Sequence, residues 1–497
     1  MARWKVEAYE LHTDGTKHGG EITDKLLSGK LQLQLNDTNK FTFSTPRVSF
    51  PVDLNIMAFP NSGKYINYNT LYVGSDWKTH FIDNAASQYF SFSFDLSNYV
   101  GKKFKVTLTS ATANSPRAFG FCNSSDIISS IWQEKTAYTY NSASGLYEWE
   151  STITDTNFFF SVRSGEDPQF YVLGATDETP DFSPLKTAVV VSRVGSTTQK
   201  MFTGIVTNRV YDVTEGVYKY QCVGALGAYK FMPPYRLFTS GSDLDFVLQT
   251  TCDRFRGTAT GGYAIFNPTT ELYSKFPEIF THFGDMSIGF AGLEMNDSLA
   301  NIQQSSSDAE AFIKAVIDPS CYKMPSNFEA PVICENVNGQ INFYSGISGV
   351  NTQEIRYDKN LLDCTIEDIP FVTYAEATYN GVGAGKAGAD YPDIFYYKGV
   401  ELPQTDTPYT FPEMEAYDDT LLAEPRQMIT ATAFDAGILD DGTPFLDITR
   451  YADIVYLENG GERRVQAQIT SITYDLTNPS RDRVQLGKKV IPLTQRS

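Results

Sequence analysis

The chain has 497 residues, of which 14% are aromatic (Phe 34, Tyr 30), with Gly and Pro distributed throughout and a formal net charge of −19. That length suits roughly three or four domains, the aromatic and turn-rich texture suits strands more than long helices, and the acidic balance argues against a basic nucleic-acid footprint. The cysteines Cys122, Cys222, Cys252, Cys321, Cys334 and Cys364 form no CxxC pair and read as free thiols in a reducing compartment. The opening "MARWKVEAYELHTDG" lacks an apolar signal core, and no apolar run approaches the ~20 residues that span a bilayer, so a soluble chain made in a cytoplasm is expected.

In chain order, "RWKVEAYEL", "KLQLQL" and "KFTFST" predict strands. In the second and third, Leu31, Leu33 and Leu35, then Phe41 and Phe43, alternate with polar residues across a turn at Asn36–Asn39. From about Val52 the composition shifts to Ser, Asn and aromatics. "YFSFSFDL", "KKFKVTLTS", "RAFGFCN", "GLYEWEST", "NFFFSVRS" and "QFYVLG" are short strands separated by turn signals, the pattern of an antiparallel sandwich inserted at 52–178. The pattern of the first 50 residues returns with "TAVVVSRV", "KMFTGIVTNRVYD" and "GVYKYQCVGAL", the last two joined by a hairpin turn at "DVTEG" with Gly216 at positive φ. Residues 1–51 and 179–235 therefore read as one discontinuous barrel.

Residues 236–345 read as a mixed α/β unit. "SDLDFVLQTTCDRF" places Leu244, Val247, Leu248, Thr251 and Phe255 at helical spacing. In "SSDAEAFIKAVIDP", Ser307 and Glu310 suggest a capping box, and Phe312, Ile313, Val316 and Ile317 line one face before Pro319. "INFYSG" then predicts a strand. Residues 346–497 return to strands, interrupted by an excursion over 389–425. Within it, Glu401–Pro425 has seven acidic residues, four prolines and no Lys or Arg, which predicts an extended, solvated loop.

Motifs for chemistry are sparse. "GAGKAG" (Gly383–Gly388) fits GxGxxG, but the following "ADYPD" offers no helix N-terminus for a pyrophosphate, so it reads as a flexible loop. His12 and His18 flank "TDGTK", a turn rather than a metal site. No HExxH, GxSxG or Cys–His signature occurs, and no pair of carboxylates stands out for glycoside hydrolysis. The sequence is therefore expected to be no enzyme and to need no cofactor or metal. Three of the four tryptophans fall in the inserted region: Trp77 and Trp132 in polar turns suited to exposure, and Trp149 alternating with Tyr147 in a position that suits either core or surface. An exposed Trp can stack on a pyranose while Arg bonds its hydroxyls. Trp77, Trp132, Arg117 and Arg163 are the candidate sugar-binding set.

The order of parts resembles the hub proteins at the tip of bacteriophage tails, contractile and non-contractile. The likeness is carried by "LQLQLNDTNKFTFSTP", "MFTGIVTNRVYDVTEGVYKYQCVGAL", "DAEAFIKAVI" with "NGQINFYSG" and "YDKNLLDCTIED", and "VQAQITSITYDLTNPSRDRVQLGKK". It covers nearly all of the chain except about 52–178. The resemblance implies two tail-tube-like β-barrels, the second being residues 346–497, with an α/β domain between them. It further implies a homotrimer in the virion tail tip that joins the tail tube to the tip and gates a DNA channel. Its implied partners are a distal tube ring protein, the tape measure protein and tip fibre or receptor-binding proteins, with DNA passing through without specific binding. Two features differ from many relatives: the inserted sandwich, and an end at Ser497 where others continue into a fibre, peptidase or lysozyme-like domain. A glycan-binding surface adhesin and, third, a polysaccharide-degrading enzyme are the alternative readings.

Overall fold

The computed structural model describes residues 3–56, 89–109, 118–122, 138–163, 168–195, 198–234, 238–256, 273–323, 331–346, 349–351, 354–368, 372–387, 396–402, 404, 408–422, 427–433, 446–478 and 483–486. The architecture is mainly β. The chain divides into two compact units, one formed by Met1–Val48 with Pro180–Ser497 and the other by Ser49–Thr179.

The larger unit is organised by one sheet of 13 strands. Its path runs Lys17–Glu21, Arg3–Leu11, Thr187–Val194, Thr198–Asp212, Val217–Val223, Lys40–Thr45, Ser28–Gln34, Gly461–Asp475, Arg483–Leu486, Gln427–Ala433 and Leu361–Asp368. Ile355–Arg356 and Tyr451–Glu458 join beside Gly461–Asp475. Among the described residues this path is open, with no strand closing it into a barrel. Strands from the two ends of the sequence meet where Ser28–Gln34 pairs antiparallel with Gly461–Asp475, Leu33 opposite Ile472 and Leu31 opposite Tyr474. The Arg193 guanidinium, itself buried, lies over the rings of Trp4 and Tyr474 at 5.5 and 5.9 Å, so one cation–π stack also joins the first strand to the last long one.

Alternation explains which face goes where. Leu31, Phe41 and Phe43 are buried between polar neighbours. Thr187–Val194 departs from this pattern, being buried along nearly its whole length. Ala188 and Val190 on one face join Leu11 and Ile205 in a core shared with the helical residues Leu244, Val247, Leu248, Phe312 and Val316. Those residues belong to helices Leu244–Arg256 and Ala309–Val316, which accompany a small sheet of Met286–Ile288, Ile341–Ser345 and Pro331–Glu335. The expected capping box does not form, and the N-cap lies one residue further on. Asp308, not Ser307, is the N-cap and accepts the Ala311 N–H at 2.9 Å, while Glu310 turns to Thr38 and Lys314. Aspartate caps as well as serine, and its position makes Ala309, Phe312, Ile313 and Val316 the buried stripe.

Two loop expectations are corrected. The acidic excursion is not wholly extended: Tyr397–Glu401 is a strand and Phe411–Leu422 a helix. Thr410 and Glu413 form half of a capping box, Glu413 accepting both the Thr410 N–H and its hydroxyl at 2.6 and 2.9 Å. Met414, Tyr417 and Leu421 then bury on one face despite the surrounding acids. "GAGKAG" is likewise no loop, since Val382–Ala387 is a strand paired with Tyr374–Tyr379 across the positive-φ turn Asn380–Gly381. Tyr397–Glu401 completes this three-stranded sheet on the other side of Tyr374–Tyr379.

In the smaller unit, two antiparallel sheets surround one aromatic core. One is ordered Phe50–Asn55, Gln169–Glu178, Lys103–Leu108, Leu146–Thr152, Thr139–Asn141, and the other Tyr89–Asp95, Asn157–Arg163, Ala118–Cys122. Phe94, Phe104, Phe158, Phe170 and Trp149 fill the space between them, with Phe104 and Phe158 centroids 4.5 Å apart. Trp149 is thereby a core residue. The entering and leaving strands pair with each other, Phe50 opposite Glu178, which holds the unit's two ends together.

That adjacency generates a prediction. Replacing Ser49–Thr179 with a short Gly/Ser linker leaves a soluble chain with a cooperative melt, and Ser49–Thr179 alone also folds. In the isolated unit, Phe104→Ala costs about 3–5 kcal/mol by denaturant titration. Aggregation of the linker variant together with an unfolded isolated unit would contradict the division.

Candidate functional site

The sugar-binding candidates are not assembled in the described structure. Trp77, Trp132 and Arg117 lie outside the described residues. Arg163 ends the strand Asn157–Arg163 opposite Tyr89, with only its backbone described. Among the described residues no group of three or more His, Cys, Asp or Glu is placed to hold a metal ion. The rings of His12 and His18 lie 4.3 Å apart and tilted by 39° at the hairpin between Arg3–Leu11 and Lys17–Glu21. Cys222, Cys252, Cys321 and Cys334 are buried thiols, and Cys364 is half-buried.

A polar cluster lies where the turn at Asn36–Asn39 meets the α/β elements. Asn36 takes positive φ (58°), a conformation Asn tolerates, and its side-chain oxygen accepts the Ile333 N–H at 2.7 Å. Asn39 reaches back inside the hairpin, accepting the Gln34 N–H at 2.7 Å. Lys314 of the helix Ala309–Val316 donates to Asp37 at 2.5 Å and to Glu310 at 2.7 Å, and the Thr38 hydroxyl donates to Glu310 at 2.5 Å. Burial would lower the Lys314 pKa, but the hydrogen bonds and charges of Asp37 and Glu310 outweigh it and hold the ammonium above its usual range.

Beneath this layer Glu335 is buried outright, accepting the Ala225 N–H at 2.7 Å. Gly224 leaves room for it, because a Cβ there would stand 2.0 Å from a Glu335 carboxyl oxygen and the side chain would have to shift. Burial pushes the Glu335 carboxyl up to about 8. The backbone N–H groups of Ala225, Leu226 and Asn39 pull against that rise, while the charge of Glu310 adds to it. Sequence reading missed this residue, since "VICEN" gives no sign that its Glu points inward. The only local signal was an acid in an otherwise apolar strand.

A second buried carboxyl holds the helix Phe411–Leu422 to its sheet. Asp418 accepts the Ala377 N–H at 2.7 Å, and burial raises its pKa to about 7, with Asp419 and Glu376 adding to the shift and Lys386 opposing it. Asn296, also buried, donates to the Ser320 carbonyl at 2.8 Å and to the Tyr409 hydroxyl at 3.2 Å. The Tyr417 hydroxyl donates to the Tyr322 carbonyl. These groups lock elements together. None of them sits with a nucleophile and base in the geometry that acyl or glycosyl transfer requires.

No family model matches the chain, and no curated protein matches it. Solved structures of similar course include the 43 kDa tail protein of prophage MuSo2 from Shewanella oneidensis, at 8% identity over 98% of both chains with a TM-score of 0.46. A tail protein from Neisseria meningitidis MC58 is 8% identical over 98% of this chain and 97% of its own, with a TM-score of 0.43. The prophage tail protein gp18 from Listeria monocytogenes EGD-e is 9% identical over 64% of this chain and 93% of its own, with a TM-score of 0.37.

The buried Glu335 predicts a pH dependence with a definite sign. Its folded-state pKa lies above the ordinary value of 4.5, so between about 4.5 and about 8 the folded chain keeps a proton that the unfolded chain has lost. This group therefore makes stability fall as pH rises through that window, with the loss complete above it. Glu335→Gln, which keeps an acceptor for the Ala225 N–H, flattens that decline. Chemical denaturation at acidic and mildly alkaline pH measures it; an unchanged slope in the variant would refute the assignment.

Proposed function

We propose that this chain is a structural protein of a bacteriophage tail, acting as a hub at the distal tip. In this reading three copies form a ring that continues the tail tube and gates the DNA channel. The observation that carries the proposal is spatial. "LQLQLNDTNKFTFSTP", "MFTGIVTNRVYDVTEGVYKYQCVGAL" and "VQAQITSITYDL" are far apart in sequence and are adjacent strands of one sheet. "DAEAFIKAVI" supplies the helix whose Lys314 and Glu310 grip the turn inside the first of them. The segments that resemble tail hubs thus build one continuous substructure.

The proposal assigns 1–51 with 179–235 and 346–497 as two barrel-like halves around the α/β residues 236–345, with 52–178 as an inserted sandwich. The acidic composition suits a lining past which DNA slides without adhering. The partners are a distal tube ring protein, the tape measure protein and tip fibre or receptor-binding proteins, and the site of action is the virion tail tip after assembly in the host cytoplasm. Light-scattering mass, measured with the neighbouring tube ring present, should give three copies per ring. One or two copies in the assembled tip would overturn the hub reading.

The inserted unit is assigned a host-surface glycan as ligand, bound weakly per site and strengthened by three copies. Trp77 and Trp132 serve as stacking platforms, with Arg117 and Arg163 as hydroxyl partners. Trp77→Ala or Trp132→Ala should abolish cell or glycan binding and leave the melting temperature within a degree or so of the parent. Early melting of both variants, or no binding by the intact chain to any host glycan, would assign the unit to bracing neighbouring tail proteins instead.

A further inference from the structure

The three-stranded sheet backed by Phe411–Leu422 has two unlike faces. Ala375, Ala377 and Tyr379 of its central strand are buried toward the helix, where Met414, Tyr417 and Leu421 are also buried. The alternate residues Tyr374, Glu376 and Thr378 lie on the other face, opposite Ala387, Gly385 and Gly383 on one side and Tyr397, Gly399 and Glu401 on the other. None of these nine residues is buried.

Glycine disfavours strands, yet this small sheet has it at three positions of one face, a pattern that marks close approach. The approach is made by tyrosine. A Cβ on Gly385 would stand 2.0 Å from the Tyr374 hydroxyl, and one on Gly399 would stand 2.5 Å from that of Tyr397. The glycines let both rings lie down along the sheet, their centroids 5.9 Å apart and their planes 25° from parallel. Tyr397 keeps 52% of its surface exposed, and Tyr396 beside it 47%. The Tyr397 hydroxyl donates to Glu376 at 2.9 Å, which fixes that carboxylate beside the ring, and the Thr378 hydroxyl donates to Glu401 further along the same face. The cations of these strands have the opposite parity, Lys386 opposite Ala375 and bridged to Asp419 at 2.6 Å, and Lys398 opposite Ala375 on the other side.

We propose that this face docks a basic, extended segment of a partner protein, with arginine guanidinium groups lying on the Tyr374 and Tyr397 rings and pairing with Glu376 and Glu401. Charge complementarity selects the occupant, because the face presents two carboxylates and no cation among the described residues. A planar guanidinium satisfies ring and carboxylate together, which a lysine ammonium does less well. Among the described residues Tyr397–Glu401 is an edge strand of the sheet, beside which an extended backbone can align.

The test uses the full chain and an arginine nonapeptide, with a lysine nonapeptide and a neutral oligosaccharide as comparators, titrated by calorimetry at low salt. The parent should bind the arginine peptide several-fold more tightly than the lysine peptide. Glu376→Gln with Glu401→Gln, and separately Tyr397→Ser, should each weaken binding about tenfold. A distant double change of equal charge, Asp14→Asn with Glu215→Gln, should alter it less than about twofold. Unchanged melting of the Gln pair shows that its loss is not unfolding. Equal weakening by the distant pair would reduce the effect to overall charge and overturn the proposal. So would indifference to Tyr397→Ser, and so would oligosaccharide binding that Tyr397→Ser abolishes, which would make the face a sugar platform instead.

Discussion

The antiparallel pairing of Ser28–Gln34 with Gly461–Asp475 is the constraint on which the larger unit depends. It brings together strands from opposite ends of the chain, and the rest of the sheet extends outward on either side of that seam. Register there is set by burial. Leu31, Ile472 and Tyr474 are all buried, and a slip of one residue would turn this row out and expose it. The Leu35 N–H, one residue past the strand, still bonds the Thr470 carbonyl at 2.9 Å. Arg193, over the rings of Trp4 and Tyr474, also ties Arg3–Leu11 and Thr187–Val194 to Gly461–Asp475, through side chains rather than backbone.

The turn that ends Ser28–Gln34 then carries the sheet into the α/β elements. Asn36, Asp37, Thr38 and Asn39 are a poor core sequence and a good turn sequence. Here they do both tasks, because Lys314, Glu310 and the strand Pro331–Glu335 satisfy their polar groups. A buried carboxyl under such a layer adds little stability and leaves few alternatives. Glu335 occupies its observed place because Gly224 leaves the space open and the Ala225 N–H points at it. This pins the orientation of the α/β elements against the sheet at one polar point, while Ala188, Val190 and Ile205 provide apolar area around it.

Much of this was readable in the sequence wherever a local pattern decides. Alternation located Ser28–Gln34 and Lys40–Thr45, and Gly216 (φ 68°) sits in the hairpin turn expected at "DVTEG". The six short strand patterns of the aromatic region each correspond to a strand. Reading failed where composition masked pattern. Acids and prolines around 401–425 hid Thr410–Glu413 as a cap and Met414, Tyr417 and Leu421 as a stripe. Glycines in Val382–Ala387 resembled a loop because their reason, the Tyr374 ring at Gly385 and the Thr378 and Glu376 side chains at Gly383, lies on another strand. The seam at Gly461–Asp475 could not be read at all, since both strands alternate and nothing local names the partner. Glu335 was invisible for the same reason: its burial is created by residues 110 positions away and more. For the sugar-binding candidates, sequence reading supplied residue types suited to stacking and bonding, and only Arg163 has a described position.

The aromatic unit shows why such a sheet tolerates a long interruption. Lys40–Thr45 must pair with Val217–Val223, and the chain between them includes all of Ser49–Thr179. Were that stretch a flexible loop, closing it would cost more with each doubling of length, by only about 0.6 kcal/mol per doubling. Pairing of Phe50 with Glu178 removes most of even that, because the unit's first and last strands are held together by its own ladder and by the core of Phe94, Phe104, Phe158 and Phe170. To the sheet, the interruption then acts as the short connections at its two ends. Residues inside the aromatic unit can accordingly change for another purpose without disturbing the seam, the turn or Glu335, provided that the Phe50–Glu178 end of the ladder stays closed.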